Sequence, residues 1–315
     1  MNYQRCLVLG GFGFLGTHVS EALLAAGVAV RVFDRPMSLA SRPQIASSNN
    51  SMIEIVEGDF INQADVERAM DGCDCCVHLV TTTLPNTSNE NMIYDVETNL
   101  VGTLWLLKMA VKYKLKKVVY ASSGGTIYGV PKTPRLSEDH STNPICSYGI
   151  IKLAVEKYLG LYQDLYGLSS VALRLSNPFG ERQKINSPQG AIAVFLGAVM
   201  QNREIQVWGD GSVVRDYIYI TDVVDGVLRA LQYTGSEKVF NIGSGYGQSL
   251  LDVINVIDHS LGRKSKIVFK PTRSVDIPRN VLDISKATSL LEWSPQISFE
   301  QGVQRMSHWV KSELY

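Results

Sequence analysis

The chain is short of several things, and each shortage excludes a class of protein. It has no charge excess: Lys and Arg number 30, and so do Asp and Glu. No overall field therefore draws it to nucleic acid or an anionic membrane, and an anionic ligand has to be held by a local cluster. It has no long apolar run, since GAIAVFLGAVM at Gly190–Met200 falls well below the roughly 20 residues that cross a bilayer. The opening MNYQRCLVLGGFGFLG lacks the basic segment, unbroken apolar run and cleavage site of a signal peptide, and is expected to be a mature N-terminus. Cysteine is sparse and odd in number, at positions 6, 73, 75, 76 and 146; this argues against the framework of a small secreted protein and suits a reduced, cytoplasmic chain. The cluster CDCC has no second Cys or His pair at finger spacing, so no metal site is expected. There is no internal repeat and no low-complexity linker.

What the sequence does contain is alternation. Short apolar runs at Cys6–Leu9, Ala29–Phe33, Ile53–Val56, Cys75–Val80, Val118–Ala121 and Val171–Leu175 are separated by stretches of helical apolar spacing, among them Leu15–Ala26, Met92–Tyr113 and Tyr148–Leu165. The pattern predicts an α/β fold, a doubly wound parallel sheet with helices on both faces. After about Asn177 the pattern loosens into short runs, IQVWG, DYIYI, VFNIG and KIVF, which predicts a smaller mixed α/β lobe.

The first run leads into GGFGFLG, with Gly10, Gly13 and Gly16 placed directly between a predicted strand and a predicted helix. In that context the first Gly turns the chain, the second lets the backbone approach a pyrophosphate, and the third packs helix on strand. The first helical residues, Phe14 and Leu15, would offer free N–H groups to the phosphates. Asp34 ends the second run, eighteen residues after Gly16. A carboxylate there accepts a hydrogen bond from a ribose 2′-hydroxyl and repels a 2′-phosphate, which predicts NAD, although the adjacent Arg35 could hold a 2′-phosphate. The expected organisation is an NAD-binding Rossmann domain at 1–176 and a ligand lobe at 177–315, with some exchange of chain between them.

Tyr148 and Lys152 in SYGIIKLAVEKYL stand four apart and share one helix face. A phenol is a poor base at neutral pH unless a nearby cation favours its phenolate. With the glycine motif and Asp34, this pair makes the chain resemble the extended short-chain dehydrogenase/reductase family, in particular its nucleotide-sugar 4-epimerase branch. The resemblance runs over nearly the whole chain. It implies that Asp59 and Phe60 in GDF meet the adenine, that Leu79 and Thr81 lie at the strand end beneath the cofactor, that Asn99 opens the NLVGT turn, and that Ser122 belongs to the hydroxyl-bearing strand ASSGGTIYG. Asn177 in SNPFGERQ would meet the substrate, Arg215 and Arg273 its diphosphate, and Asp276 the nucleotide ribose; an arginine fork suits a diphosphate.

The implied chemistry is removal of the O4 proton by Tyr148, oxidation at C4 of a UDP-linked sugar, and reduction on the other face with NAD regenerated. Lys152 would hold the nicotinamide ribose. The resemblance also implies a homodimer, since relatives pair the apolar faces of the helices corresponding to 92–113 and 148–165. A reductase or dehydrogenase on the same fold is the alternative reaction, and a non-catalytic NAD-binding regulator the alternative class.

Two departures from the family pattern matter. A Ser or Thr normally precedes the Tyr of the Tyr-Gly pair by four residues, but here Gly124 precedes Tyr128; Thr126, then Ser123, are the expected substitutes. Asn280 stands four after Asp276, where epimerases restricted to smaller sugars carry a bulky Tyr, and predicts room for an N-acetyl group. His78 and Trp105, both among apolar neighbours, are read as packing residues.

Overall fold

A computed structural model describes residues 1–46, 50–187, 189–272 and 277–314. The strands are β1 (Arg5–Leu9), β2 (Ala29–Asp34), β3 (Ile53–Glu57), β4 (Cys75–His78), β5 (Lys117–Ser123), β6 (Ser170–Leu175), β7 (Asn177–Phe179), β8 (Ile205–Trp208), β9 (Val214–Tyr219), β10 (Val239–Ile242), β11 (Gly247–Ser249), β12 (Ile267–Lys270) and β13 (Arg279–Asn280). The helices are α1 (Phe14–Ala25), α2 (Gln63–Met70), α3 (Met92–Asp95), α4 (Gly102–Lys112), α5 (Ser147–Tyr166), α6 (Ala191–Met200), α7 (Ile220–Gln232), α8 (Leu250–Leu261), α9 (Ser285–Leu290) and α10 (Phe299–Leu314).

The seven-stranded sheet runs β10-β6-β5-β4-β1-β2-β3 and every pairing in it is parallel. This is the doubly wound order, with its reversal between β1 and β4, and ligands of such sheets bind outside the carboxyl ends of the strands at that reversal. Alternation splits the core in two. Cys6 and Val8 face the cluster built with Val19 and Leu23 of α1 and Val223 and Val227 of α7, whereas Leu7 and Leu9 face Val66 of α2, Leu106 of α4 and Val155 of α5.

The run VFNIG, expected in the smaller lobe, is instead the seventh strand of the main sheet, paired with β6 from Val239↔Ala172 to Ile242↔Leu175. The smaller lobe centres on β9, which pairs with β7, β11 and β13, beside a separate β8–β12 pair. Fully buried Asp216 organises it, accepting from the main-chain N–H groups of Ser244, Gly245 and Leu282 and from the Ser244 hydroxyl. Those donors satisfy a carboxylate that burial otherwise raises above its ordinary pKa.

The helix expected over 92–113 is not uniform. Between α3 and α4 the chain makes a π-helical stretch, Val96–Val101, of a kind that recurs at functional sites. Behind the sheet's carboxyl end, Glu156 of α5 and Arg174 of β6 form a buried pair at 2.7 Å, joined by the Ser122 hydroxyl and, through Tyr128, by Asn241 of β10. This network fixes the inner face of α5 against β5, β6 and β10.

Candidate active site

The glycine loop has the shape its sequence demands. Gly10 adopts φ +80°, and a Cβ on Gly16 would lie 2.1 Å from the Gly10 carbonyl oxygen, so no other residue fits at that crossing. Gly13 is the N-cap of α1, whose first residues are Phe14 and Leu15. No side chain caps α1, and its first N–H groups open toward the reversal point, the place where this fold seats a pyrophosphate. Asp34 sits at the end of β2 and accepts from the main-chain N–H of Phe12 and of Arg35, each at 2.9 Å. It therefore also braces the loop. The Arg35 side chain is exposed. A dinucleotide cradle is present in outline, and the residues fit NAD.

Further along the same edge, Asp59 is exposed and bonded locally to Ile61, while Phe60 is buried. Phe60 packs beneath Gly102, where a Cβ would come within 2.8 Å of its ring, and lies 5.0 Å from the His78 ring. Leu79 and Thr81 follow β4. His78 is a core residue as expected, between Phe60 and Tyr120, with Nε2 at 3.0 Å from the Thr103 hydroxyl. Because Thr103 gives its own proton to the Asn99 carbonyl, His78 must donate from Nε2, and its Nδ1 is buried without a partner. Asn99 binds Thr82 and Asp95 through its side-chain amide, so it ties the β4 loop to the π-helical stretch.

Tyr148 and Lys152 come together at the start of α5. Lys152 is 5% exposed and donates to the Ala121 carbonyl at 2.8 Å; its Nζ lies 5.4 Å from the Tyr148 ring and 4.7 Å from that of Tyr120. Burial pulls the Lys152 ammonium down to about 7, while the charges of Asp95 and Glu156 oppose that. The Tyr148 phenol is pushed well above its usual range, by burial first and then by Cys146 and Asp95. Both side chains line a cavity of about 10 Å³ with Val80, Thr81, Asp95 and Asn99.

The turn after β5 bears on the missing hydroxyl. A Cβ at Gly124 would lie 2.6 Å from a Leu282 methyl and 3.1 Å from the Arg174 carbonyl, so a larger residue fits only if Leu282 shifts. Thr126 is pressed onto the first turn of α5: a Cβ at Gly149 would meet its carbonyl at 2.8 Å, one residue from Tyr148. The Thr126 hydroxyl is buried without a hydrogen-bond partner, and Ser123 is half-buried at the strand end. The Ser122 hydroxyl donates to Glu156 at 2.6 Å.

In the smaller lobe, Asn177 donates to the Asp216 carbonyl, and Arg215 to the carbonyls of Val214 and Ile277. Asn280, paired in register with Arg215, is 1% exposed, and its amide donates to the Gly124 carbonyl rather than standing open as a gate. Arg273 and Asp276 lie outside the described residues.

Residues 6–243 match the model of the NAD dependent epimerase/dehydratase family. The chain belongs to that family. Within it, the chain is 33% identical over 97% of its length to a putative UDP-glucose 4-epimerase of Methanocaldococcus jannaschii, covering 98% of that relative. It is 31% identical to a dTDP-4-dehydro-6-deoxyglucose reductase of Escherichia coli, with 95% of each chain covered. A solved UDP-glucose 4-epimerase of Thermotoga maritima with UDP-glucose superposes at a TM-score of 0.92, with 32% identity, 99% of this chain and 100% of that one covered. The protein is thus an NAD-dependent enzyme of the nucleotide-sugar epimerase/dehydratase family.

The sequence pointed to the glycine loop, Asp34, Tyr148 and Lys152, which the fold gathers along one edge. It did not single out Asp95, Glu156 or Arg174. For Asp95 a signal was present: Asp95, Asn99 and Thr103 recur every four residues, as one helix face requires.

Proposed function

We propose that the protein interconverts the C4 epimers of a UDP-linked sugar. The observation that carries this reading is the Lys152 ammonium held against the Ala121 carbonyl with the Tyr148 ring 5.4 Å away, at the carboxyl end of the sheet beside the glycine loop. When bound, NAD supplies a hydride acceptor and a positive charge beside the phenol. Gly10, Gly13, Gly16 and the N-terminus of α1 would hold its pyrophosphate, and Asp34 its adenosine ribose. Tyr148 takes the proton from the sugar 4-hydroxyl and returns it after the ring has turned over. Lys152 stabilises the phenolate, which burial alone disfavours. Thr126 hydrogen-bonds O4, with Ser123 as the alternative donor. Arg215 and Arg273 hold the diphosphate, with Asn177 and Asp276 on the sugar and ribose.

The similarity to UDP-glucose 4-epimerases over essentially the whole chain supports this reaction. The similarity to a reductase supports a second reading, net reduction of a keto sugar. The two differ in cofactor balance. Purified protein with catalytic NAD and a panel of nucleotide sugars should form the C4 epimer, resolved by NMR, with no net NADH change, and Tyr148→Phe should lower that rate roughly 10²–10⁴-fold while retaining NAD. Stoichiometric NAD(H) turnover without epimer would favour the reductase.

We also propose a homodimer through the helices flanking the site, because Ile93 of α3 and Leu161, Leu165 and Tyr166 of α5 are exposed on two helices packed together, and large apolar residues exposed in a group mark an interaction surface. Sedimentation should give a dimer that Leu165→Glu splits.

A further inference from the structure

Asp95 is an unusual carboxylate. It is 1% exposed, and Oδ1 accepts from the Thr83 hydroxyl at 2.6 Å and the Asn99 amide at 2.8 Å. Its Oδ2 is buried with no hydrogen-bond partner. A buried charge normally keeps a cation close, yet among the described residues Asp95 forms no ion pair within 4.0 Å. It does line the cavity of about 10 Å³ that Tyr148 and Lys152 also line. That volume suits one water with polar partners on two sides.

The other groups around Lys152 leave this role to Asp95. His78 on β4 is neutral, its pKa lowered to about 3 by burial. Tyr120 on β5 offers only its ring face, and its phenol is pushed up by burial. Glu156, one turn along α5, is already neutralised by Arg174 and bonded to Ser122. Tyr148 is itself held neutral, and Cys146 lies two residues before it. Asp95 is the uncompensated anion of the cavity and Lys152 its uncompensated cation.

We propose that Asp95 is a positioning residue for Lys152, its unpaired oxygen holding the ammonium charged across the cavity through one bridging water. The proposal rests on the reading of Tyr148 and Lys152 as the reacting pair, in which a neutral Lys152 could not support a phenolate. The π-helical stretch that begins at Val96 sets Asp95, Asn99 and Thr103 along the cavity together.

The test follows Lys152 itself in the cofactor-free protein, by NMR of lysine labelled at Nζ and Cε and assigned with Lys152→Arg. Asp95→Asn keeps an acceptor for Thr83 and removes the charge, and should lower the Lys152 midpoint by about one pH unit or more, as loss of a nearby opposite charge does. Thr83→Val, which removes the hydrogen bond and leaves the charge, should not lower it. With NAD and sugar present, Asp95→Asn should bring the alkaline fall of kcat to lower pH, about tenfold less activity at pH 8, with KM unchanged. Should Asp95→Asn not fold, Asp95→Ser removes the same charge with a smaller side chain, and the Lys152 midpoint should fall in it likewise. An unshifted Lys152 midpoint in Asp95→Asn, or in Asp95→Ser where that is the variant that folds, overturns the proposal. The midpoint does not depend on sugar turnover, so failure of the epimerase reading is seen separately.

Discussion

Asn280 donates its side-chain amide to the main-chain oxygen of Gly124, 3.1 Å away, and so couples the end of the smaller lobe's β13 to the turn that carries the candidate hydroxyls. Leu282, two residues on, covers the same turn from above. This explains why a glycine occupies the position where a serine or threonine is usual. A Cβ there would overlap a Leu282 methyl at 2.6 Å, and overpacking of this kind costs about 1–3 kcal/mol. Gly124→Ser should therefore destabilise the protein by that amount in urea denaturation. Combined with Leu282→Ala, which removes the obstructing methyls, the loss should be smaller than the sum of the two single losses. Simple additivity would mean that the collision is relieved some other way.

Asp34 has two duties that substitution can separate. Its carboxylate accepts from the Phe12 and Arg35 N–H groups and is also proposed to bind the adenosine ribose. Asp34→Ala should weaken NAD about tenfold or more, the value of a hydrogen bond to a charged group, and should narrow the preference over NADP. It should also lower the melting temperature, because buried Phe12 loses the partner of its N–H. Calorimetric titration with both cofactors checks the first effect and thermal unfolding the second. A variant that bound NADP no better relative to NAD would remove Asp34 from the selectivity.

The hydroxyl that replaces the one absent at Gly124 can be tested with little interference from folding. The Thr126 hydroxyl is buried without a partner, so Thr126→Val deletes an unsatisfied polar group and should leave stability equal or about 1 kcal/mol higher. Turnover should nevertheless fall at least tenfold if that hydroxyl serves the sugar, and Ser123→Ala should cost less. Kinetics and urea denaturation of the same samples decide it. Unchanged turnover in Thr126→Val would pass the role to Ser123 or to Thr81.

These sites differ in how far the sequence announced them. Strands β1 to β6 were legible because each is a short apolar run bounded by polar turns, and α5 because its apolar spacing is unbroken from Tyr148 to Leu165. The assignment of Val239–Ile242 to the main sheet was not, since nothing in VFNIG records that its neighbour is Ala172–Leu175. The helix over 92–113 looked continuous because amphipathic spacing does not register a π-helical turn; the deviation goes with tertiary bonds from Asn99 to Thr82. Gly10, Gly16, Tyr148 and Lys152 could be read because their chemistry depends on local spacing. Asp95, Glu156 and Arg174 act through partners distant in the chain, as does the Ser122 hydroxyl, which donates to Glu156 thirty-four residues on.

His78 gives the fold a defined response to acid. It is 2% exposed between Phe60 and Tyr120, and burial lowers its pKa to about 3, with the Lys152 charge acting in the same direction. In the unfolded chain the same imidazole titrates near 6.5. Between these two values the unfolded state carries a proton that the native state does not, so stability is full above about pH 6.5 and is lost as pH falls toward 3. Two pH units inside that window correspond to about 2–3 kcal/mol. Replacing His78 with Gln removes the titration while keeping a donor for Thr103. Urea denaturation from pH 7 to pH 4.5 should then show wild type losing about that much more stability than His78→Gln, with the other acid-sensitive groups cancelling in the comparison. Parallel losses in the two proteins would mean that His78 takes up its proton in the folded state, at the unpartnered Nδ1 and with the Nε2 donation to Thr103 kept.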